Sequence, residues 1–211
     1  IDSSLQRSGV PWRRIGIVVT IWAAVATGVL GLAAALDTPP GAPEVVSTPD
    51  GLPPLTLSLD RPLPPSVVAK TNAAEQVEEL RALANETNDA GRWVELGAAL
   101  QRLQDYEGAT LAYRRALTID ATRLDARVGA IMLDAASAEG RERAAVALAD
   151  LQAANPNSQL VAFNQGMVAI YRRDNATVQS AFAVAERLGP TTALGRLATR
   201  FRSATGQGNV P

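Results

Sequence analysis

The sequence contains no cysteine and no histidine. Without cysteine the chain cannot form disulfides, a thiolate nucleophile or a cysteine metal site. Without histidine it cannot form a serine–histidine triad or an imidazole zinc site. These two absences disfavour an enzyme, and we expect no catalytic residue, no cofactor and no metal.

Lysine and aromatic residues are also scarce. Lysine occurs once, at Lys70, and aromatic residues make up 4% of the chain. The formal net charge is -1, so no global field attracts nucleic acid. We therefore expect the partners to be a membrane and other protein subunits, rather than nucleic acid or a small-molecule substrate.

Charged residues are absent from one long stretch, Ile15 to Leu36. Its 22 residues exceed the length of about 20 that a transmembrane helix needs. A buried helix of a soluble protein is one alternative, but the chain has no second domain large enough to cover it. A cleaved signal peptide is another, but its apolar core usually has about 7–15 residues. The stretch predicts a single transmembrane helix.

The charges that flank this helix predict its orientation. Arg7, Arg13 and Arg14 precede it, and the first ionisable residue after it is Asp37. The positive-inside rule places the amino terminus in the cytoplasm and the rest of the chain in the periplasm or outside the cell. We expect a single-pass protein of the inner or cytoplasmic membrane.

Small residues recur at every fourth position along the predicted helix. Such stripes allow helices to approach closely in lipid, where association depends on shape and dispersion. Chance in an alanine- and glycine-rich sequence is the alternative explanation. The first stripe is Gly16, Thr20, Ala24 and Gly28, and the second is Ala23, Thr27, Gly31 and Ala35.

A proline-rich segment follows, and it predicts an extended linker because prolines at this density exclude helix and central strand. Leu55 to Leu59 interrupts it with alternating apolar and polar residues. This run is either an edge strand or docking segment, or a few apolar residues in a linker. The predicted organisation is a cytoplasmic segment (1–14), a transmembrane helix (15–36), the linker (37–65), a folded domain (66–205) and a disordered tail (206–211).

Helical periodicity begins at Ala73, and the chain beyond it repeats with a period of 34 or 35 residues. Trp93 is followed after two residues by Leu96 and Gly97, and Ala109 is followed after three residues by Tyr113. This pattern resembles the tetratricopeptide repeat. Two further units carry their matching residues at Val128, Ile131, Ala144, Leu148 and Pro156, and at Ala162, Gly166, Phe182, Ala185 and Pro190.

The resemblance implies an all-α fold, a solenoid of helical hairpins with about three repeats and capping helices. A helix from Ala193 to Ser203 is one candidate cap. The helix from Ala73 to Ala84 is either the other cap or half of a degenerate fourth unit. Gly97 is expected where the two helices of one unit cross. An alanine-rich helical bundle without solenoid order is the alternative.

The resemblance also implies a concave groove, lined by the first helix of each unit, that binds a peptide or a helix. The groove positions are mostly apolar, which favours a helix or hydrophobic strand as partner. One alternative is that the helix from Ala73 to Ala84 fills the groove, and another is that these positions are assigned in the wrong register. The groove positions are Val94, Ala98, Gln101, Gly129, Leu133, Ala136, Phe163, Met167 and Ile170.

These observations together predict a non-catalytic scaffold or accessory subunit of a membrane complex. Its transmembrane helix would bind integral subunits, and its repeats would bind an extramembrane partner. A membrane-anchored assembly factor or chaperone is the alternative, because the layout resembles envelope proteins of cytochrome c biogenesis that carry such repeats.

Overall fold

A computed structural model describes residues 54–206, and this part of the chain is helical, without a strand. The prediction of an all-α fold is therefore confirmed for these residues. The helices are α1 (Pro65–Val68), α2 (Ala73–Thr87), α3 (Ala90–Arg102), α4 (Tyr106–Ile119), α5 (Leu124–Asp134), α6 (Ala138–Ala154), α7 (Gln159–Tyr171), α8 (Asn175–Leu188) and α9 (Ala193–Gly206).

Polar side chains determine where most of these helices begin. In six of the helices named above, the residue before the first turn accepts a hydrogen bond from a backbone N–H three residues further on. Such a cap contributes about 1 kcal/mol because it satisfies a donor that the helix itself leaves free. The capping residues are Asn72, Asp89, Asp105, Ser137, Ser158 and Asp174.

Each helix packs against the helix that follows it in sequence. In addition, α3 packs against α5, α5 against α7, and α7 against α9. These four helices, which we call the inner layer, therefore form a continuous series. Helix α2 packs against α1 and α3, so it lies at the end of the series.

The ring of Tyr113, in α4, determines how closely α3 and α5 approach. A Cβ atom added to Gly97 would lie 2.7 Å from Cε1 of Tyr113, and one added to Gly129 would lie 2.4 Å from it. Both distances are shorter than a van der Waals contact, and Tyr113 is only 1% exposed. The ring is thus held between two glycines, as expected for Gly97 at a helix crossing.

The carboxyl-terminal end of the series is closed by α9. Phe163 of α7, Phe182 of α8 and Phe201 of α9 form an aromatic cluster, with ring centroids 5.4 to 6.3 Å apart. Leu194 is buried, and Leu197 packs against the core. Helix α9 therefore covers the apolar end that a further helix would otherwise have to cover.

The predicted cytoplasmic segment, the transmembrane helix 15–36, the linker as far as residue 53 and the tail from 207 onward lie outside the described residues. Between residues 54 and 206, no helix has both the length and the hydropathy that a membrane span requires.

We expect Gly129→Ala to destabilise the folded domain by about 1–3 kcal/mol, because the ring of Tyr113 is held by Gly97 on its other side and has no room to move. The melting temperature, measured by circular dichroism of the purified chain, should fall by about 2–4 °C for each kcal/mol.

Tyr113→Leu supplies the control for this prediction. Once the ring is gone, Gly129→Ala should become neutral or stabilising, since alanine favours a helix over glycine by about 1 kcal/mol. An equal loss of stability in both backgrounds would show that Tyr113 does not determine the close approach.

Candidate functional site

A non-helical segment of the chain lies on the inner layer. This segment, which we call the strap, comprises residues 54–64 and directly precedes α1. Leu57 is its central anchor and is only 2% exposed. Leu55, Leu59 and Leu63 are half-buried and pack against the same apolar core. The alternating run in the proline-rich segment is thus docked on the chain's own helices.

The first polar contact of the strap is with Gln101, at the end of α3. The Leu57 N–H donates to Gln101 Oε1 over 3.2 Å, and the Tyr113 hydroxyl donates to the same oxygen over 3.1 Å. Burial raises the pKa of Tyr113 far above its usual range, so the hydroxyl keeps its proton and acts as the donor. Gln101 is 1% exposed, and within the described chain its Nε2 has no acceptor.

The second contact is with Asn164, which is fully buried in α7. The Ser58 N–H donates to Asn164 Oδ1 over 3.1 Å, and Asn164 Nδ2 donates to the Ser58 carbonyl over 3.2 Å. Asn164 Nδ2 also donates to the Leu160 carbonyl, over 2.8 Å. One side-chain amide therefore satisfies both main-chain groups of Ser58, which is partly buried.

The third contact is ionic. Arg61 Nη1 lies 3.2 Å from Glu95 of α3, and Arg61 Nη2 lies 2.9 Å from Asp125 of α5. The Glu95 side chain is 3% exposed and the Asp125 side chain 11%, so both carboxylates need partners. Burial lowers the pKa of Arg61, but the hydrogen bond to Glu95 and the two carboxylate charges outweigh it, and the pKa is raised overall.

Both carboxylates also bind arginines of the helical domain itself. Arg92 lies 2.8 Å from the other oxygen of Glu95, and Arg123 donates to Asp125 over 2.9 Å. Gly91 leaves the space for this cluster, because a Cβ there would lie 2.6 Å from the Arg123 guanidinium.

The strap contacts all four helices of the inner layer. Asp60 Oδ1 accepts the Ala193 N–H at the start of α9, over 3.1 Å. Along α3 the strap runs antiparallel, because Leu57 bonds near the helix end, whereas Arg61 lies 3.5 Å from the Gly91 carbonyl near its start. Helix α2, which begins at Ala73, lies at the end of the series. The segment that lies on the inner layer is therefore the strap and not this helix.

The predicted groove residues are all in the folded domain, and of these Gln101 hydrogen-bonds the strap. The ring of Phe163 packs against Phe182 and Phe201. Most of the others belong to the buried core, while Ala136 is exposed and Leu133 is partly buried. The small-residue stripes of the predicted span lie outside the described residues.

Sequence reasoning missed Glu95, Asp125 and Asn164. Glu95 and Asn164 each follow a predicted groove residue by one position, and Asn164 directly follows the apolar residues 161–163. A polar residue next to a groove position was the available signal. Ser58, the partner of Asn164, is 106 positions away in the chain, and no local pattern identifies it.

Among residues 54–206, no three acidic residues lie close enough together to hold a metal ion. Comparison of the chain with protein-family models, curated proteins and solved structures gives no match. What the chain does must therefore be inferred from its own contacts, above all those between the strap and the inner layer.

Proposed function

We propose that this chain is a non-catalytic scaffold or accessory subunit of a membrane complex, and that its inner layer binds an extended peptide segment of a partner. The observation that supports the binding mode is the strap itself. An extended segment already lies on this layer, and buried amides hydrogen-bond its main chain. Main-chain hydrogen bonds supply affinity in peptide recognition, and side-chain contacts supply specificity.

We further propose that the helices are tetratricopeptide-like repeats. The turn between α3 and α4 and the turn between α7 and α8 both place a non-glycine residue in the left-handed region, Gln104 at φ 62° and Arg173 at φ 56°. These residues are 69 positions apart, close to twice the 34-residue period of the family. The Gly166–Phe182 contact repeats the Gly97–Tyr113 contact at the same separation.

The transmembrane helix at Ile15–Leu36 anchors the chain in this proposal. It places residues 1–14 in the cytoplasm and the repeats in the periplasm or outside the cell, as the flanking arginines suggest. The small-residue stripes then contact integral subunits of the complex.

A membrane-anchored assembly factor is the second candidate function. The strap favours this candidate, because an inner layer that carries its own occupant suits a partner that binds and then leaves. A permanent subunit would remain in the mature complex in fixed proportion, whereas a factor would be recovered only with assembly intermediates.

Co-purification in a mild detergent tests the scaffold proposal. The wild-type chain should recover partner subunits in a fixed ratio. Asn164→Asp should lose the extramembrane partner, because a carboxylate cannot donate to a peptide carbonyl. Gly28→Leu combined with Gly31→Leu should lose the integral subunits, because it blocks close helix approach while it keeps the span apolar.

Matched controls are available in the same chain. Asn157 is exposed, so Asn157→Asp makes the same chemical change away from the inner layer. Ala26→Leu with Ala33→Leu adds comparable bulk to the span at positions outside both stripes. Recovery of every partner by both test variants, at equal membrane levels, would refute the scaffold proposal.

The absence of cysteine makes the proposed topology directly measurable. A single cysteine introduced by Gln207→Cys should react with a membrane-impermeant maleimide in intact cells or spheroplasts, because the folded domain is expected outside the cytoplasm. A cysteine introduced by Ser4→Cys should react only after lysis. The opposite pattern would show that the repeats face the cytoplasm.

A further inference from the structure

Each buried amide that binds the strap keeps one hydrogen-bond partner if the strap leaves. Gln101 Oε1 retains the hydroxyl of Tyr113, and Asn164 Nδ2 retains the carbonyl of Leu160. Asn164 Oδ1 loses the Ser58 N–H, but both side chains stay hydrogen-bonded to the helices.

The same is true of the buried carboxylates. Glu95 retains Arg92 and Asp125 retains Arg123 when Arg61 departs. The two acids and these two arginines balance in charge, so departure leaves no uncompensated carboxylate. The ionic part of the site is therefore stable with or without the strap.

With the strap in place, one buried atom of the side chains that bind it remains unsatisfied. Gln101 Nε2 has no acceptor among the described residues, although it shares its amide carbon with the oxygen that binds Leu57. A buried donor without an acceptor weakens binding. Asn164, in contrast, uses both amide atoms on Ser58. The strap is thus an imperfect ligand for its own site.

The strap has a single buried hydrophobic anchor, Leu57. Its other leucines are half-buried, and Asp60 and Arg61 are exposed at the surface. Its advantage over a free peptide is that it is tethered to α1, which gives it a high effective concentration at the site.

We infer that the strap is a resident occupant of the inner layer that a segment of a partner protein displaces. This inference rests on the proposed peptide-binding function. The displacing segment is an extended peptide that places an apolar side chain at the Leu57 position and an arginine four residues later. It also offers an acceptor to Gln101 Nε2.

Arginine is specified rather than lysine at that position. The two terminal nitrogens of Arg61 reach two different carboxylates, one on α3 and one on α5. A planar guanidinium presents its donors in a fixed fork and can make both contacts at once, whereas an ammonium is a compact point charge.

A labelled synthetic peptide with the sequence of residues 53–63 tests this inference by fluorescence anisotropy against the full chain in detergent. The test variant, Leu57→Ser with Arg61→Ala, weakens the strap and leaves the inner layer intact. It should bind the peptide at least about tenfold more tightly than wild type, because an occupied site lowers apparent affinity. Arg61→Ala alone should give an intermediate gain.

Two peptides serve as controls, one with lysine and one with alanine in place of the arginine. Both should bind the test variant more weakly than the parent peptide, with lysine no better than a few-fold above alanine. Circular dichroism shows whether each variant is folded. If the double variant is not folded, Arg61→Ala alone still tests the inference, because Arg61 is at an exposed position.

Three outcomes would overturn the inference, and they are distinguishable. Equal affinity for wild type and both strap variants would show a peptide site without a competing strap, which leaves the proposed function standing. No binding to folded chains would make the strap a permanent part of the fold, and co-purification would then decide the function. If the wild-type chain is a dimer that Arg61→Ala dissociates, the strap of one copy binds the inner layer of a second copy.

Discussion

The burial of Tyr113 links the packing of the helices to the binding of the strap. Its ring fits between Gly97 and Gly129 and so determines how closely two inner-layer helices approach. Its hydroxyl, which burial keeps protonated, donates to Gln101 and orients the amide that receives the Leu57 N–H. The Tyr113 side chain therefore positions both the inner-layer helices and the Gln101 amide that binds the strap.

The inner layer departs from an ordinary helical core because it contains buried amides and carboxylates. Such groups are costly to bury without partners, and here Gln101, Asn164, Glu95 and Asp125 each have at least one partner in the helical domain. The strap adds a second partner to each. Each of these side chains therefore keeps one polar partner when the face is uncovered, as the proposed peptide-binding role requires.

The helices and their close crossing could be predicted from the sequence, whereas the strap contacts could not. The periodicity from Ala73 and the spacing of Gly97 and Tyr113 are local patterns that packing follows directly. The position of Asn164 opposite Ser58 depends on how the whole series of helices brings distant residues together. The alternation from Leu55 to Leu59 indicated one apolar face, but it did not indicate which surface would cover it.

Site-resolved hydrogen exchange of the strap tests the central claim most directly. In the wild-type chain the amides of Leu57 and Ser58 should exchange at least about tenfold more slowly than an unstructured peptide, and Asn164→Asp should remove this protection. Helix α7 should stay protected in the variant, and Asn157→Asp should leave the strap unchanged. If the amides of Leu57 and Ser58 exchange in the wild-type chain as fast as in a free peptide, the strap is not docked on the inner layer.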